Sequence, residues 1–352
     1  MSRFLSARFA ALEAYVPGEQ PKSQNVVKLN TNENPYPPAP GVLAALKELS
    51  ENSLRRYPDP ACTVLVRALA KRYGVGEDQV FVGVGSDDVL AMAFLAFFNS
   101  DRPVLFPDIT YAFYPVWAEL FGIPYRTPAL DAQFRLVRED YLKPNGGIVF
   151  PNPNAPTSIG EPLSFVEEIV AGNPDSVVVV DEAYVDFGGA SALPLVDRYD
   201  NLLVVQTFSK SRSLAGLRVG FCIGQPELIR ALNGVKYSFN SYTLNEPALR
   251  LGAASLQEED YFQETLQKII AVREEAVDRL GQLGFSGPKP TANFLFVTHP
   301  QFSAGQLFRD LREAGILVRY FDKPRIRDYL RITVGTRDEM EKLYAFLEKY
   351  GQ

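Results

Sequence analysis

Residues 176–184 read SVVVVDEAY, and the reading of this stretch decides the fold. Four consecutive valines with no polar alternation are the pattern of a strand covered on both faces. Such strands belong to parallel sheets layered between helices. The run ends on Asp181-Glu182-Ala183-Tyr184, so a carboxylate emerges where the strand leaves the core.

Working outward, further short apolar runs stand at 80–84, 103–106, 147–150, 201–206 and 218–223, separated by helical patterns. The alternation predicts an α/β protein whose mostly parallel central sheet is covered by helices. Polar or aromatic groups come directly after the runs: Gly85-Ser86-Asp87, Pro107-Asp108-Ile109-Thr110-Tyr111, Pro151-Asn152-Pro153-Asn154 and Thr207-Phe208-Ser209-Lys210. Open α/β sheets bind ligands beyond the carboxyl ends of their strands, so five decorated strand ends predict one shared site.

From residue 258 the character changes. A long helical pattern at 259–283 ends at Gly284, a strand follows at 294–297, and Ser303 caps a helix running to 313. Strands are expected at 316–321 and 330–334, and Thr336 with Glu339 forms a capping box for a last helix. The expected organisation is an N-terminal arm (1–30), a large domain (31–257) and a smaller C-terminal α+β domain (258–352).

Composition narrows the function classes. The 352 residues, 46% hydrophobic and 22% charged, suit a globular protein with more than one core. A net charge of −6 provides no basic field for nucleic acid or an anionic membrane, so neither is expected as a partner. No stretch reaches the roughly 18 apolar residues of a membrane span, and the start has no signal-peptide core. The two cysteines, Cys62 and Cys222, show no metal-ligand or disulfide spacing, which argues against a zinc site or a disulfide framework and fits a reducing cytoplasm. The only histidine, His299, precedes Pro300 in a turn, so the chemistry must fall to Lys, Asp, Tyr and Arg.

Lys210 directly follows an apolar strand and is flanked by Ser209 and Ser211, which puts it at a crevice mouth. Lysine is the side chain that forms a reversible imine with an aldehyde cofactor. Ser209 and Arg218 nearby hold the parts of a phosphate grip. Asp181, ending a buried strand, needs a cationic partner or its pKa must rise. A protonated pyridine nitrogen is such a partner, and Tyr184 could donate to the same ring's phenolic oxygen.

These residues resemble the signature order of the fold-type-I pyridoxal-phosphate transferases, and among them the aminotransferases: Asn154-Ala155-Pro156-Thr157, Asp181-Glu182-Ala183-Tyr184 and 209–218. Three further segments (29–37, LNTNENPYP; 56–59, RYPD; 330–337, LRITVGTR) are similar to the histidinol-phosphate aminotransferase subgroup. The resemblance runs from about residue 28 to the C-terminus. It implies pyridoxal 5′-phosphate on Lys210, Asp181 at the ring nitrogen, Tyr184 and Asn154 (with Asn152 as the fallback) at the ring oxygen, and Tyr111 stacked on the ring. Ser86, Asp87, Ser209 and Arg218 would hold the phosphate, joined by Tyr57 from the second subunit of a homodimer. Arg331 would grip a substrate carboxylate, Arg319 a substrate phosphate, and Asn34 would also face the substrate. The chain departs from the usual Asn-Asn-Pro-Thr-Gly at Ala155 and Ser158.

The implied reaction is amino transfer between L-histidinol phosphate and 2-oxoglutarate in histidine biosynthesis, in the cytoplasm. The alternatives are an aromatic amino-acid aminotransferase and a threonine-phosphate decarboxylase on the same scaffold. A regulator with an aminotransferase-like sensor needs a DNA-binding extension, and the residues before the first motif are too few and not basic.

Overall fold

The computed structural model describes residues 4, 9, 13–15, 18–21 and 26–350. Most of the arm expected over 1–30 therefore lies outside the described residues. At the centre is a seven-stranded sheet. Its strands are β2 (Val80–Gly83), β3 (Val104–Leu105), β4 (Tyr125–Arg126), β5 (Ile148–Pro151), β6 (Val178–Asp181), β7 (Leu202–Thr207) and β8 (Gly220–Gly224). They lie in the order β2-β8-β7-β6-β5-β3-β4.

Side-chain alternation fills both faces of this sheet. Val178, Val180, Leu202 and Val204 join one core, while Val179, Leu203 and Val205 join the other. The valines of β6 are fully buried, so the continuous apolar run reflects helices packed on both sides.

One strand departs from the parallel reading. The run at 218–223 begins its ladder only at Gly220 and runs antiparallel to both β2 and β7. The link from β7 to β8 holds twelve residues, 208–219, with a single 3-10 turn at Ala215–Leu217 and no crossover helix, so the chain folds straight back. All the remaining strands are mutually parallel, which brings the carboxyl ends of β2, β3, β5, β6 and β7 to one edge.

A second core gathers the helices Glu259–Gln282, Ala304–Glu313 and Arg337–Tyr350 around a three-stranded antiparallel sheet. That sheet has the order β11 (Arg319–Tyr320), β12 (Tyr329–Thr333), β9 (Phe294–Thr298). The strand expected at 316–321 is split by Val318. Its first half, β10 (Ile316–Leu317), pairs in parallel with β1 (Val27–Lys28), and its second half pairs with β12. Val27 and Leu29 are buried in this C-terminal core, so residues 27–29 pack with the last elements of the chain.

The helix signals take the form the sequence suggests. Ser303 accepts a hydrogen bond from the Gln306 amide, and Thr336 and Glu339 bond reciprocally across the first turn of the last helix. Both cysteines are free and buried. His299 stacks on Phe302 with ring centroids 4.0 Å apart, and its Nε2 meets the Leu283 carbonyl, which is a packing role. Among the described residues no group of side chains could hold a metal ion, and no helix is long and apolar enough to cross a membrane.

Candidate active site

The shared strand edge opens into a cavity of about 710 Å³. Its floor comes from the ends of β6 and β7. Asp181, at the last position of β6, is only 4% exposed. Its Oδ2 accepts from the Tyr114 hydroxyl at 2.8 Å and its Oδ1 from the Ala183 amide at 3.2 Å. Burial pushes this carboxyl up to about 6, against those two hydrogen bonds, which pull it down. Among the described residues no cation forms a salt bridge with it.

Lys210 reaches the same space from the loop after β7. Its Nζ donates to the Thr31 carbonyl at 3.0 Å and lies 5.7 Å from the centre of the Tyr184 ring. The Tyr184 hydroxyl accepts from Asn32 Nδ2 at 3.0 Å. Tyr111 also lines the cavity, with its hydroxyl donating to Asp87 at 2.7 Å.

At one end of the cavity the N-terminus of the helix Gly85–Phe97 meets the β7–β8 link. Ser86 and Asp87 form the helix's first turn, where free amides and the helix dipole favour an anion. Arg218 stands in the left-handed region (φ 56°), which turns its side chain back toward that helix. Its Nη2 pairs with Asp87 Oδ2 at 3.1 Å, and its Nη1 donates to Ser209 Oγ at 3.3 Å. Close approach here requires glycine: a Cβ on Gly220 would lie 2.2 Å from the backbone of Gly85 and of Ser86.

The other end is cationic. Arg331 alternates along β12 with the buried Leu330 and Ile332, so its side chain leaves the C-terminal core and enters the cavity. Its Nη2 donates to the Asn30 carbonyl at 2.8 Å, while its buried Nε has no partner among the described residues. Burial pulls its pKa down. Arg319, its register partner on β11, lines the same end.

A sequence model of the family described as aminotransferase class I and II matches residues 24–347. The chain belongs to that family. It is 54% identical over 350 residues to a histidinol-phosphate aminotransferase of Acinetobacter baumannii (strain AYE), covering 99% of this chain and 97% of that one. It is 55% identical over 343 residues to the histidinol-phosphate aminotransferase of Pseudomonas putida (strain ATCC 47054), covering 97% and 99%. Among solved structures, histidinol-phosphate aminotransferase from Sinorhizobium meliloti in complex with pyridoxal-5′-phosphate superposes with a TM-score of 0.85. The two chains are 22% identical and cover 99% and 98% of each other, a likeness of fold.

In this aminotransferase Ser86, Asp87, Tyr111, Asp181, Tyr184, Ser209, Lys210, Arg218, Arg319 and Arg331 all line one cavity. Four expected site residues do not. Asn154 turns away and donates to the Ile109 carbonyl at 3.0 Å and to Thr157 Oγ1 at 3.1 Å, tying its loop to the segment after β3; Ala155 faces the cavity instead. Asn152, the fallback, is occupied by both backbone polar groups of Glu161. Asn34 donates to the Ser211 carbonyl at 2.9 Å, which holds the lysine loop from behind. Tyr57 is 82% exposed and packs on Tyr242, outside this cavity.

Several lining residues carry no signal of their own in the sequence. Asn32 and Thr31 belong to the same motif as Asn34, the asparagine expected at the substrate, while Tyr114, one helical turn beyond Tyr111, is buried behind the cavity wall and reaches Asp181 from there. A tyrosine that buried needs a partner for its hydroxyl, but nothing in the sequence names Asp181 as that partner. Lys323, from the β11–β12 link, adds a further cation beside Arg319.

Proposed function

We propose that this aminotransferase uses pyridoxal 5′-phosphate to move an amino group from L-histidinol phosphate to 2-oxoglutarate, a step of histidine biosynthesis. The observation that carries the reading is a single cavity with an amine, a buried carboxylate with no salt-bridge partner among the described residues and an anion cup at one end, and two arginines at the other. Relatives 54% and 55% identical over nearly the whole chain bear that name.

The residues fit the cofactor group by group. Lys210 meets an aldehyde, Asp181 a protonated ring nitrogen, and Ser209, Arg218 and the amides of Ser86 and Asp87 a phosphate. Tyr111 and Tyr184 line the space between them. When bound, the cofactor supplies an aldehyde that takes up the amino group and a ring that accepts the electron pair left on the substrate carbon.

The chain's own groups bind, orient and move protons. Lys210 Nζ would hold the cofactor through its aldehyde and, when free, would be the base placed to move the proton of the substrate carbon. The Asp181 carboxylate fixes the protonated ring nitrogen in a site where burial makes an unpaired charge costly. Arg331 presents its unpartnered Nε beside Nη2, the paired donors that hold an oxyanion bidentately. Two arginines suit either member of the substrate pair, since one is a phosphate ester and the other a dicarboxylate.

The same reading includes a homodimer in which Tyr57 reaches the phosphate of the neighbouring subunit. Its support is the exposure of Tyr57 together with Leu54 (75%) and Phe239 (76%). It also includes an N-terminal arm, a large domain from 31 to 257 and a smaller one from 258, located in the cytoplasm, where the two free cysteines stay reduced.

The test is spectroscopic. Protein reconstituted with pyridoxal phosphate should show the visible band of the lysine-bound cofactor, absent in Lys210→Ala. L-histidinol phosphate should discharge that band rapidly and phenylalanine slowly. The reverse order would move the protein to the aromatic aminotransferases, release of carbon dioxide would mark a decarboxylase, and no band would end the reading.

A further inference from the structure

Asn32 occupies a position few residues could hold. Its backbone is left-handed (φ 56°), a region that asparagine tolerates and most side chains do not. It is 1% exposed to solvent and yet lines the cavity. Its carbonyl accepts from Asn293 Nδ2 at 3.1 Å, which fixes the segment.

The hydrogen bonds around it run in one direction. The Asn32 backbone N–H can only donate, and it donates to Thr333 Oγ1 at 2.9 Å. The Thr333 hydroxyl proton then goes to Asn32 Oδ1 at 3.0 Å. With Oδ1 taken, Nδ2 faces Tyr184 and donates to its hydroxyl oxygen at 3.0 Å. Among the described residues the Tyr184 hydroxyl has no acceptor, so its own proton is left to point into the cavity.

Pro151, Ala155 and Pro156 line the cavity, while Asn152 gives its amide N–H to the Glu161 carbonyl and Asn154 gives its own to the Ile109 carbonyl and Thr157 Oγ1. Tyr184, its ring centre 5.7 Å from Lys210 Nζ, is thus a donor available to an anionic ring oxygen.

We propose that Asn32 is a positioning residue that commits the Tyr184 proton to the cofactor's ring oxygen and, through Thr333, couples that donor to the strand carrying Arg331. The inference rests on the proposed use of pyridoxal phosphate. Arg331 and Thr333 lie two residues apart on β12, so an oxyanion drawn to Arg331 pulls on the strand that also sets the Asn32 amide. A hydrogen bond to the charged form of a group favours that form. A ring oxygen held this way competes less for the proton on the nitrogen that links Lys210 to the cofactor, and that nitrogen titrates at a lower pH.

The experiment is a pH titration of the visible band of the reconstituted protein, with melting curves to establish that each variant folds. Asn32→Asp keeps the left-handed backbone and the shape, but its carboxylate accepts the Tyr184 proton and withdraws it from the cavity. It should raise the midpoint by roughly 1 pH unit, as should Tyr184→Phe, which removes the donor outright. Asn32→Gly, free of backbone strain, and Thr333→Val should raise it by less, because the hydroxyl is then unguided rather than reversed. A midpoint unmoved in Asn32→Asp and Asn32→Gly but raised in Tyr184→Phe would overturn the positioning role. A midpoint unmoved in all four would overturn Tyr184 as the donor. A wild-type protein with no band would instead overturn the cofactor reading on which the inference stands.

Discussion

Arg319 and Arg331 face each other directly across the antiparallel pair β11–β12. Like charges at opposed positions of a sheet destabilise it, and here burial also works against the Arg331 charge. Phe294 and Phe321 lie 5.4 and 5.6 Å from the Arg331 guanidinium and soften that cost without removing it. The proposed function puts a substrate anion between the two side chains, which would offset that cost.

Arg331→Lys should therefore lower kcat/KM by roughly 100-fold, about 3 kcal/mol, in both half-reactions, since a point charge cannot replace a paired donor set. Arg319→Gln should cost histidinol phosphate more than glutamate. Inorganic phosphate should raise the melting temperature of the wild type and do so less in Arg319→Gln. Equal losses for both substrates in Arg319→Gln would remove it from phosphate selection.

The Asp181 carboxyl gives a pH-dependent signature. In the unfolded chain it titrates near 3.8, and in the folded protein burial raises it to about 6. The unfolded state thus releases the proton first, and this group's contribution to stability falls as pH rises from about 4 to 6. Above that window its cost is roughly 3 kcal/mol in the apoprotein. Asp181→Asn apoprotein should be at least as stable as wild type at pH 7.5 and lose the advantage at pH 4. It should also bind pyridoxal phosphate far more weakly at pH 7.5. Thermal melts of both apoproteins at the two pH values decide it; a variant less stable at pH 7.5 would show that the carboxylate is already compensated.

Much of the fold and site is legible in the sequence because buried parallel strands carry a plain pattern. Unbroken valines mark β6, and polar residues at the strands' carboxyl ends mark the site, so the sequence alone brings Lys210, Asp181 and Arg218 to one crevice. The hidden features depend on contacts between distant segments. Two-residue strands such as β1 carry no period, and nothing local shows that Val318 divides β10 from β11. Asn34 and Asn154 look as suitable as Asn32, and only the tertiary structure shows which amide reaches Tyr184 and which ones brace a loop. Tyr57 is a different case, since its expected partner belongs to a second chain.

The anion cup depends on backbone contact as much as on side chains. Gly220→Ala would place its Cβ 2.2 Å from Gly85 and Ser86, forcing the helix start to move. Roughly 1–3 kcal/mol of stability should be lost, together with most of the cofactor affinity, because the Ser86 and Asp87 amides lose their aim. Gly216→Ala is the control: it meets nothing within 4 Å in the same link and should leave both quantities nearly unchanged. Denaturation and cofactor titration of the two variants make the comparison. Full cofactor affinity in Gly220→Ala would mean that the amides do not hold the phosphate.

Tyr57 tests whether the site is completed by a second copy. It is 82% exposed, its ring lies 4.6 Å from that of Tyr242, and it does not line the cavity of its own chain. A hydroxyl so exposed contributes little to the fold of one subunit, so Tyr57→Phe should leave the melting temperature unchanged. In a dimer that shares its sites, the lost hydrogen bond to a charged phosphate should weaken cofactor binding about 10-fold, or about 1.5 kcal/mol. Light scattering should give twice the mass of the chain at the concentrations used for assay. A fully active monomer, or an affinity unaltered in Tyr57→Phe, would mean that each chain holds its cofactor alone.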